Sequence, residues 1–387
     1  MKNLLNCTLT LFIAVNCFKS VCQTTLDKII NINGTSRSYR IYIPQMYTGN
    51  EAVPLIFNFH GYTSTNLEQE FYGDFRGIAD TANFILIHPQ GLNGGSGTFW
   101  NTFSTVVPSN YDYQFVSQLI DTLVSNYTID TNRIYSTGMS NGGFMSYDLA
   151  CFMSHRFAAI ASVTGSMISQ HLSLCNPARK VPVLQIHGTN DATVSYSGTG
   201  GILTSTGIDD LVQFWVNHNQ CETLPTITNV VDANSTDLST VTHYVYDNLI
   251  ENTSVELFKV QNGGHTWPGS IYNIPGLVTN QDFSASKEIW RFFSSHSMIE
   301  ENPVTSSLVE KEISFEIYPN PVNSVLKINL NNLKEVKISI VSSLGIVLKT
   351  VQNNKENSIE ISTQDLAEGI YFVEIGAKQE RIIVLKD

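Results

Sequence analysis

Charge is scarce in this chain. Only 14% of its 387 residues are Asp, Glu, Lys or Arg, and the 34 acids outnumber the 22 bases to leave a formal net charge of −12. No basic cluster reverses that balance. Nucleic acid and anionic membrane surfaces, which recruit proteins through Lys and Arg, are therefore poor partners for it. Low charge does not mean disorder here, because 42% of the residues are hydrophobic, enough for a sizeable core. Metal-binding spacings are missing too. No Cys-x-x-Cys pair, His-Glu-x-x-His or EF-hand loop occurs, so neither a structural metal nor another cofactor is expected. No internal repeat is visible, and one apolar run alone stands out, at the N-terminus.

That run has the form of a secretory signal. Lys2 supplies a positive start, Leu4 to Val15 is mostly apolar, and Ser20 and Cys22 are small residues at positions −3 and −1 of a cut before Gln23. It is too short to cross a bilayer, and no later run of about eighteen apolar residues follows, so no membrane span is expected in the mature chain. Loss of residues 1–22 removes Lys2 and Lys19 and no acid, taking the net charge from −12 to −14. It also removes Cys7, Cys17 and Cys22, which leaves Cys151, Cys175 and Cys221 of the original six. In an exported protein the simplest account is one disulfide and one free thiol, with Cys151–Cys175 the preferred pair.

Two textures divide the remainder. Over residues 23–297, apolar strand-like runs alternate with helix-like ones. Strands are expected at Tyr39–Ile43, Pro54–Phe59, Phe84–His88, Arg133–Ser136, Ala158–Val163, Val181–His187, Val241–Tyr246 and Val255–Val260. Several are nearly continuous apolar runs, the pattern of strands covered on both faces. Helices are expected over Tyr113–Ser125, Thr206–Asn219 and Ser284–Ser295. Such alternation predicts an α/β domain with a doubly wound, mostly parallel sheet. Residues 298–312 are polar, acidic and broken by a proline, and read as a linker. Residues 313–387 then carry about seven short alternating strands with turns at Asn320-Pro321, Asn331-Asn332, Gly345, Asn353-Asn354 and Gly369, the pattern of a small β-sandwich.

The tail resembles the C-terminal sorting domain of the bacterial type IX secretion system. The marks are Tyr318-Pro319-Asn320-Pro321 near its start, Gly345 after a strand, and Leu366-Ala367-Glu368-Gly369-Ile370-Tyr371-Phe372-Val373 near its end. The resemblance implies the type IX machinery as a partner, and a destination outside the cell or on its surface. A carbohydrate-binding sandwich is the competing reading, but the tail offers no cluster of aromatics on one strand face.

Chemistry concentrates in the α/β region. Gly138-Met139-Ser140-Asn141-Gly142 is the sole Gly-x-Ser-x-Gly of the chain and lies between a strand-like and a helix-like run. That is the setting of the nucleophile elbow of α/β-hydrolases. A serine nucleophile needs a base and a group to orient that base, which follow in this fold as acid and then histidine. Asp191 closes the turn after strand Val181–His187, and His265 lies in the glycine-rich loop Gly263-Gly264-His265-Thr266-Trp267. His187 competes for the base, but it shares a strand end with Asp191 and is not expected to stand opposite it. The oxyanion needs two N–H donors. Asn141 follows the nucleophile, and Tyr62 follows Phe59-His60-Gly61 at the end of an early strand, where His60 is expected to brace the loop. Trp100 and Trp267 lie in loops near these groups and are candidates to stack on a substrate ring.

Together with His88-Pro89-Gln90-Gly91 and Ile186-His187-Gly188-Thr189-Asn190-Asp191, these motifs resemble the secreted polyhydroxybutyrate depolymerase and feruloyl esterase family, relatives of carbohydrate esterase family one. The match spans roughly residues 27–297. It implies a serine carboxylesterase with Ser140, Asp191 and His265 as its triad, acting on feruloyl or acetyl esters of plant polysaccharides or on hydroxyalkanoate polyesters. Family members often carry a cysteine where Tyr62 stands and another near Asp247-Asn248, so the oxyanion loop of this chain must be held by other means. Two further readings compete. A non-catalytic carbohydrate-binding protein would not require all five catalytic groups. A prolyl-oligopeptidase-like peptidase usually carries a long N-terminal propeller, for which the expected mature N-terminus leaves no room.

Overall fold

A computed structural model of the chain describes residues 24–103, 111–199, 205–248, 250–272, 274–298, 315–330, 336–342, 347–353, 356–375 and 378–386. The expected signal peptide, nearly all of the expected linker, and the turn marks Asn331-Asn332, Gly345 and Asn354 lie outside these residues. The chain divides into two units, one ending at Glu301 and the other beginning at Asn302.

The first unit runs β1 (Thr24–Ile32), β2 (Thr35–Ile43), β3 (Val53–Phe59), α1 (Asn66–Tyr72), α2 (Arg76–Ala82), β4 (Ile85–Pro89), β5 (Leu92–Asn93), β6 (Thr98–Phe99), α3 (Tyr111–Asn126), β7 (Ile129–Met139) and α4 (Asn141–Phe152). It continues with β8 (Ala159–Val163), α5 (Ser169–Leu174), β9 (Val183–Gly188), α6 (Ile208–His218), β10 (Thr226–Asn229), β11 (Thr240–Asn248), β12 (Thr253–Gln261) and α7 (Ala285–Ser294).

One ten-stranded sheet organises it, in the order β1-β2-β4-β3-β7-β8-β9-β12-β11-β10. The six central strands from β4 to β12 are parallel, and an antiparallel pair closes each side. Burial on both faces explains the apolar runs. In β3 the side chains of Leu55, Phe57 and Phe59 enter one core and Ile56 enters the other. The first core is capped by α3, α4 and α6 through Phe115, Leu119, Tyr147 and Trp215. The second is capped by α2 and α7 through Ala79, Ile289, Phe292 and Phe293. This is the α/β-hydrolase arrangement, and it aims the carboxyl ends of β3, β7, β9 and β12 toward one edge of the sheet.

The second unit is all β. Three antiparallel strands, β13 (Glu316–Tyr318), β14 (Val325–Asn329) and β17 (Ser358–Ser362), form one sheet. β15 (Lys337–Ser342), β16 (Val347–Gln352), β18 (Gly369–Ile375) and β19 (Lys378–Val384) form the other. Alternate residues of both sheets, among them Leu326, Ile328, Ile340, Val373 and Ile382, share one buried core.

Candidate active site

Ser140 joins β7 to α4 at φ +55°, ψ −120°, a backbone conformation that side-chain-bearing residues rarely adopt. Holding it there costs on the order of 1–3 kcal/mol. The flanking glycines make the turn feasible, because β3 passes directly beneath it. A side-chain carbon at Gly142 would stand 2.1 Å from the Phe59 carbonyl oxygen, and one at Gly138 would stand 2.5 Å from the same atom. The Ser140 N–H donates to Val163 O on β8 at 2.9 Å, which ties the turn to the neighbouring strand.

Asp191 follows the end of β9. Its Oδ1 accepts the N–H groups of Thr193 (2.8 Å) and Val194 (2.9 Å), and its Oδ2 accepts from His265 Nδ1 at 2.7 Å. The carboxylate side chain is fully buried, while His265 keeps 13% of its side chain exposed. With Nδ1 donating to a carboxylate, the free lone pair of His265 is on Nε2. Backbone bonds hold the two loops together: Thr189 N–H donates to Val260 O and Asn190 N–H to Gly263 O, both at 2.9 Å. His187 comes closer to Asp191 than the strand-end argument predicts. The turn folds back, and His187 Nε2 lies 3.4 Å from Asp191 Oδ2. The ring is nonetheless committed elsewhere, donating from Nε2 to Val194 O at 2.8 Å and accepting Gln185 Nε2 on Nδ1 at 2.9 Å. Burial lowers its pKa, and it is neutral in this bonding pattern.

Asn141 and Tyr62 flank Ser140 from two elements. Asn141 is the first residue of α4, where N–H groups have no intrahelical acceptor and the helix dipole adds partial positive charge. Tyr62 sits in the tight turn Gly61–Ser64, closed by the Ser64 N–H on Gly61 O at 3.2 Å. Thr63 takes φ +64° in that turn and is pinned by its N–H on Thr98 O at 2.7 Å. A side-chain carbon at Gly61 would stand 3.4 Å from Ser140 Cβ, so the turn abuts the serine. Neither the Asn141 nor the Tyr62 N–H has a partner among the described residues. His60 lies under the turn. Its Nδ1 donates to Gly61 O at 2.7 Å and its Nε2 accepts from Gly91 N at 2.9 Å, while burial drives its pKa down to about 4.

The two tryptophans are not where a stacking role requires them. Trp100 is 0% exposed and Trp267 1%, so neither stands out as an open stacking platform, and Trp267 contributes only to the wall of the cavity beside it. Trp100 packs edge-on against Phe59 at 5.0 Å between centroids, and Trp267 against Phe75 at 6.1 Å. Sequence context misleads here, since both lie in loops among small and polar residues and yet fill the floor beneath them. The exposed aromatics are others. Phe71 at the end of α1 and Tyr272 in the loop after Trp267 meet edge to face at 6.5 Å, with Tyr272 46% exposed. They border a cavity of about 280 Å³ that Tyr72, Arg76, Trp267 and Ser270 help to line. Arg76 is already paired with Asp74 and Glu70, so the cavity wall presents no uncompensated positive charge. Only their aromatic character could have pointed to Phe71 and Tyr272, because neither belongs to a motif.

Cys151 and Cys175 form a disulfide with Cα atoms 4.9 Å apart, joining the end of α4 to the end of α5. Cys221 is free and buried, and desolvation pushes its thiol up to about 11. Among the described residues no group of three His, Cys, Asp or Glu side chains is placed to hold a metal ion, and no helix is long and apolar enough to cross a membrane.

Comparison with known proteins adds five findings. Residues 316–386 match the secretion system C-terminal sorting domain, and residues 107–219 match the phospholipase/carboxylesterase family. The bifunctional acetylxylan esterase/xylanase XynS20E of Neocallimastix patriciarum is 29% identical over 179 residues, 46% of this chain. The chain spans only 25% of that relative's length. Feruloyl esterase C of Emericella nidulans is 30% identical over 208 residues, covering 52% of this chain and 68% of the relative. Among solved structures, an acetyl xylan esterase from Aspergillus awamori superposes with a TM-score of 0.54 at 14% identity, over 70% of this chain and 99% of the other. At that identity the likeness speaks for the fold alone.

Proposed function

We propose that this chain, which belongs to the α/β-hydrolase carboxylesterase family of feruloyl esterase C, is an exported serine esterase that removes acyl groups from plant cell-wall polysaccharides. The observation that carries this reading is the pairing of buried Asp191 with partly exposed His265, held at 2.7 Å beyond β9 and β12, on the same sheet edge as the strained Ser140 turn after β7.

In the proposed reaction Ser140 Oγ attacks the ester carbonyl carbon as His265 Nε2 takes its proton. Asp191 keeps Nδ1 protonated and stabilises the imidazolium that forms. The oxyanion accepts the two unpartnered N–H groups, those of Asn141 and Tyr62. Collapse of the tetrahedral intermediate breaks the C–O bond, and His265 returns the proton to the departing alcohol. Water then attacks the acyl-enzyme by the same route and frees the acid. The cavity beside Phe71 and Tyr272 suits a neutral, hydroxyl-rich group: it has an exposed aromatic, serine hydroxyls and a cation that is already paired. We assign it to a sugar of the polysaccharide. The acyl-esterase names of the relatives support this substrate class. The sorting domain sends the protein to the cell surface or beyond, where such polysaccharides are met.

The test is hydrolysis of p-nitrophenyl acetate, methyl ferulate and a 3-hydroxybutyrate oligomer by the full chain and by its Ser140→Ala variant. Cleavage of methyl ferulate or the acetate ester by the parent alone is expected. Preference for the oligomer would move the substrate class to polyesters, and equal rates in both proteins would remove Ser140 from its role.

A further inference from the structure

The two N–H donors assigned to the oxyanion come from elements far apart in sequence, and two buried side chains, those of Asn141 and Trp100, tie them together. Asn141, whose N–H is one donor, reaches back with its side-chain amide to the segment after β6. Its Oδ1 accepts the Trp100 N–H at 2.7 Å, and its Nδ2 donates to Trp100 O at 3.1 Å and to Thr102 Oγ1 at 2.8 Å. Trp100 in turn sends its indole Nε1–H to His60 O at 2.9 Å. His60 immediately precedes Gly61 and Tyr62, the turn that carries the other donor, and its own ring caps Gly61 O. A chain of hydrogen bonds therefore runs from the first residue of α4, through Trp100, to the turn after β3. The neighbouring Asn101 N–H is fixed as well, by Asp112 Oδ2 at 2.8 Å, and Asp112 is itself held by Arg37 in a buried ion pair.

We infer that Trp100 is a positioning residue that sets the spacing between the Asn141 and Tyr62 amides. An oxyanion hole works only if both donors stand at hydrogen-bond distance from a point the substrate oxygen reaches in the transition state. Pairing of β3 with β7 aligns the two strand ends only as far as Phe59 and Gly138, so the turns beyond them need a further tie, and small misplacements there are expensive in rate. Trp100 supplies that link through its backbone, which holds the Asn141 amide, and its indole, which holds His60 O. Its full burial means that it touches no substrate, so its influence falls on the transition state and leaves ground-state binding alone.

The inference rests on the reading of Ser140 as the nucleophile. Trp100→Phe keeps a buried ring and removes the N–H that reaches His60. In the full chain it is expected to lower kcat on methyl ferulate by about tenfold, with KM within about twofold, and to weaken inhibition by a boronic acid that mimics the tetrahedral intermediate. Thr102→Val removes the acceptor at the other end of the link. It is expected to reduce kcat by a smaller factor, again at constant KM, and it keeps the test open should the ring substitution unfold the protein. A kcat equal to the parent's in folded Trp100→Phe, or a loss that only follows the folded fraction in thermal denaturation, overturns the brace. Ser140→Ala run in parallel separates the two claims. Activity surviving in that variant overturns the reaction itself, whereas activity lost there but intact in both brace variants overturns the brace alone.

Discussion

Asp191 divides its carboxylate between two tasks: Oδ2 holds His265 Nδ1 at 2.7 Å, while Oδ1 is held by the backbone N–H groups of Thr193 and Val194. The histidine is thus oriented by a group that cannot itself rotate. Asp191→Asn keeps the size but offers an amide that can present N–H toward Nδ1, favouring the wrong tautomer. The expected result is a fall in kcat of about 10³–10⁴-fold with KM little changed. Steady-state kinetics on methyl ferulate check it, and a loss below about tenfold would assign the orienting role to another group.

Much of this site is legible in sequence because its geometry leaves few residue choices. The elbow needs glycine on both sides of Ser140, since Phe59 O stands within 2.5 Å of any side-chain carbon there. The acid and the histidine must each follow a parallel strand, and those strands are nearly unbroken apolar runs. What escapes is whatever depends on packing across the chain. Trp100 and Trp267 read as exposed loop aromatics and are buried. His187 and Asp191 share a strand end, yet the turn between them brings them to 3.4 Å. β10 escapes because it is an edge strand, wholly exposed, with little apolar pattern to betray it, and in β1, the opposite edge, Asp27 and Lys28 interrupt the apolar Leu26, Ile30 and Ile32.

The cavity beside Tyr272 predicts a split between substrates. Tyr272→Ala removes an exposed ring outside the bonding network of Ser140, Asp191 and His265. KM on a feruloylated arabinoxylan oligosaccharide is expected to rise about fivefold, the loss of roughly 1 kcal/mol of stacking, while p-nitrophenyl acetate is cleaved as before. Equal effects on both substrates would place the sugar elsewhere.

The disulfide predicts a change in stability with little change in rate. Cys151 and Cys175 are 24 residues apart, and closing a loop of that size is worth about 3 kcal/mol against the unfolded chain. The double variant Cys151→Ser, Cys175→Ser should unfold at a temperature several degrees lower. At 25 °C its kcat should stay near the parent's, because the bridge joins the far ends of α4 and α5 and leaves the Ser140 turn untouched. Thermal melts with and without reductant check the first half, and a large loss of kcat in the folded variant would show that the bridge also shapes the site.

Buried histidines predict acid sensitivity with a defined direction. Burial lowers the pKa of His60 to about 4, that of His296 to about 4 and that of His88 to about 3, against an ordinary value near 6.5. For each, the unfolded chain binds a proton that the folded protein refuses, over the interval between the two pKa values. Folding stability therefore rises with pH in that interval. The contribution is complete above about pH 6.5 and is lost as pH falls toward 4, with His60 alone accounting for up to about 3 kcal/mol. His60→Asn, whose amide can still donate to the Gly61 carbonyl, should be less stable than the parent at pH 7.5, yet lose less further stability between pH 6.5 and 4. Denaturant midpoints measured across that range decide the matter. Parallel curves for parent and variant would mean that His60 does not titrate on unfolding, and the acid sensitivity would then belong to the other buried histidines, His88, His187 and His296.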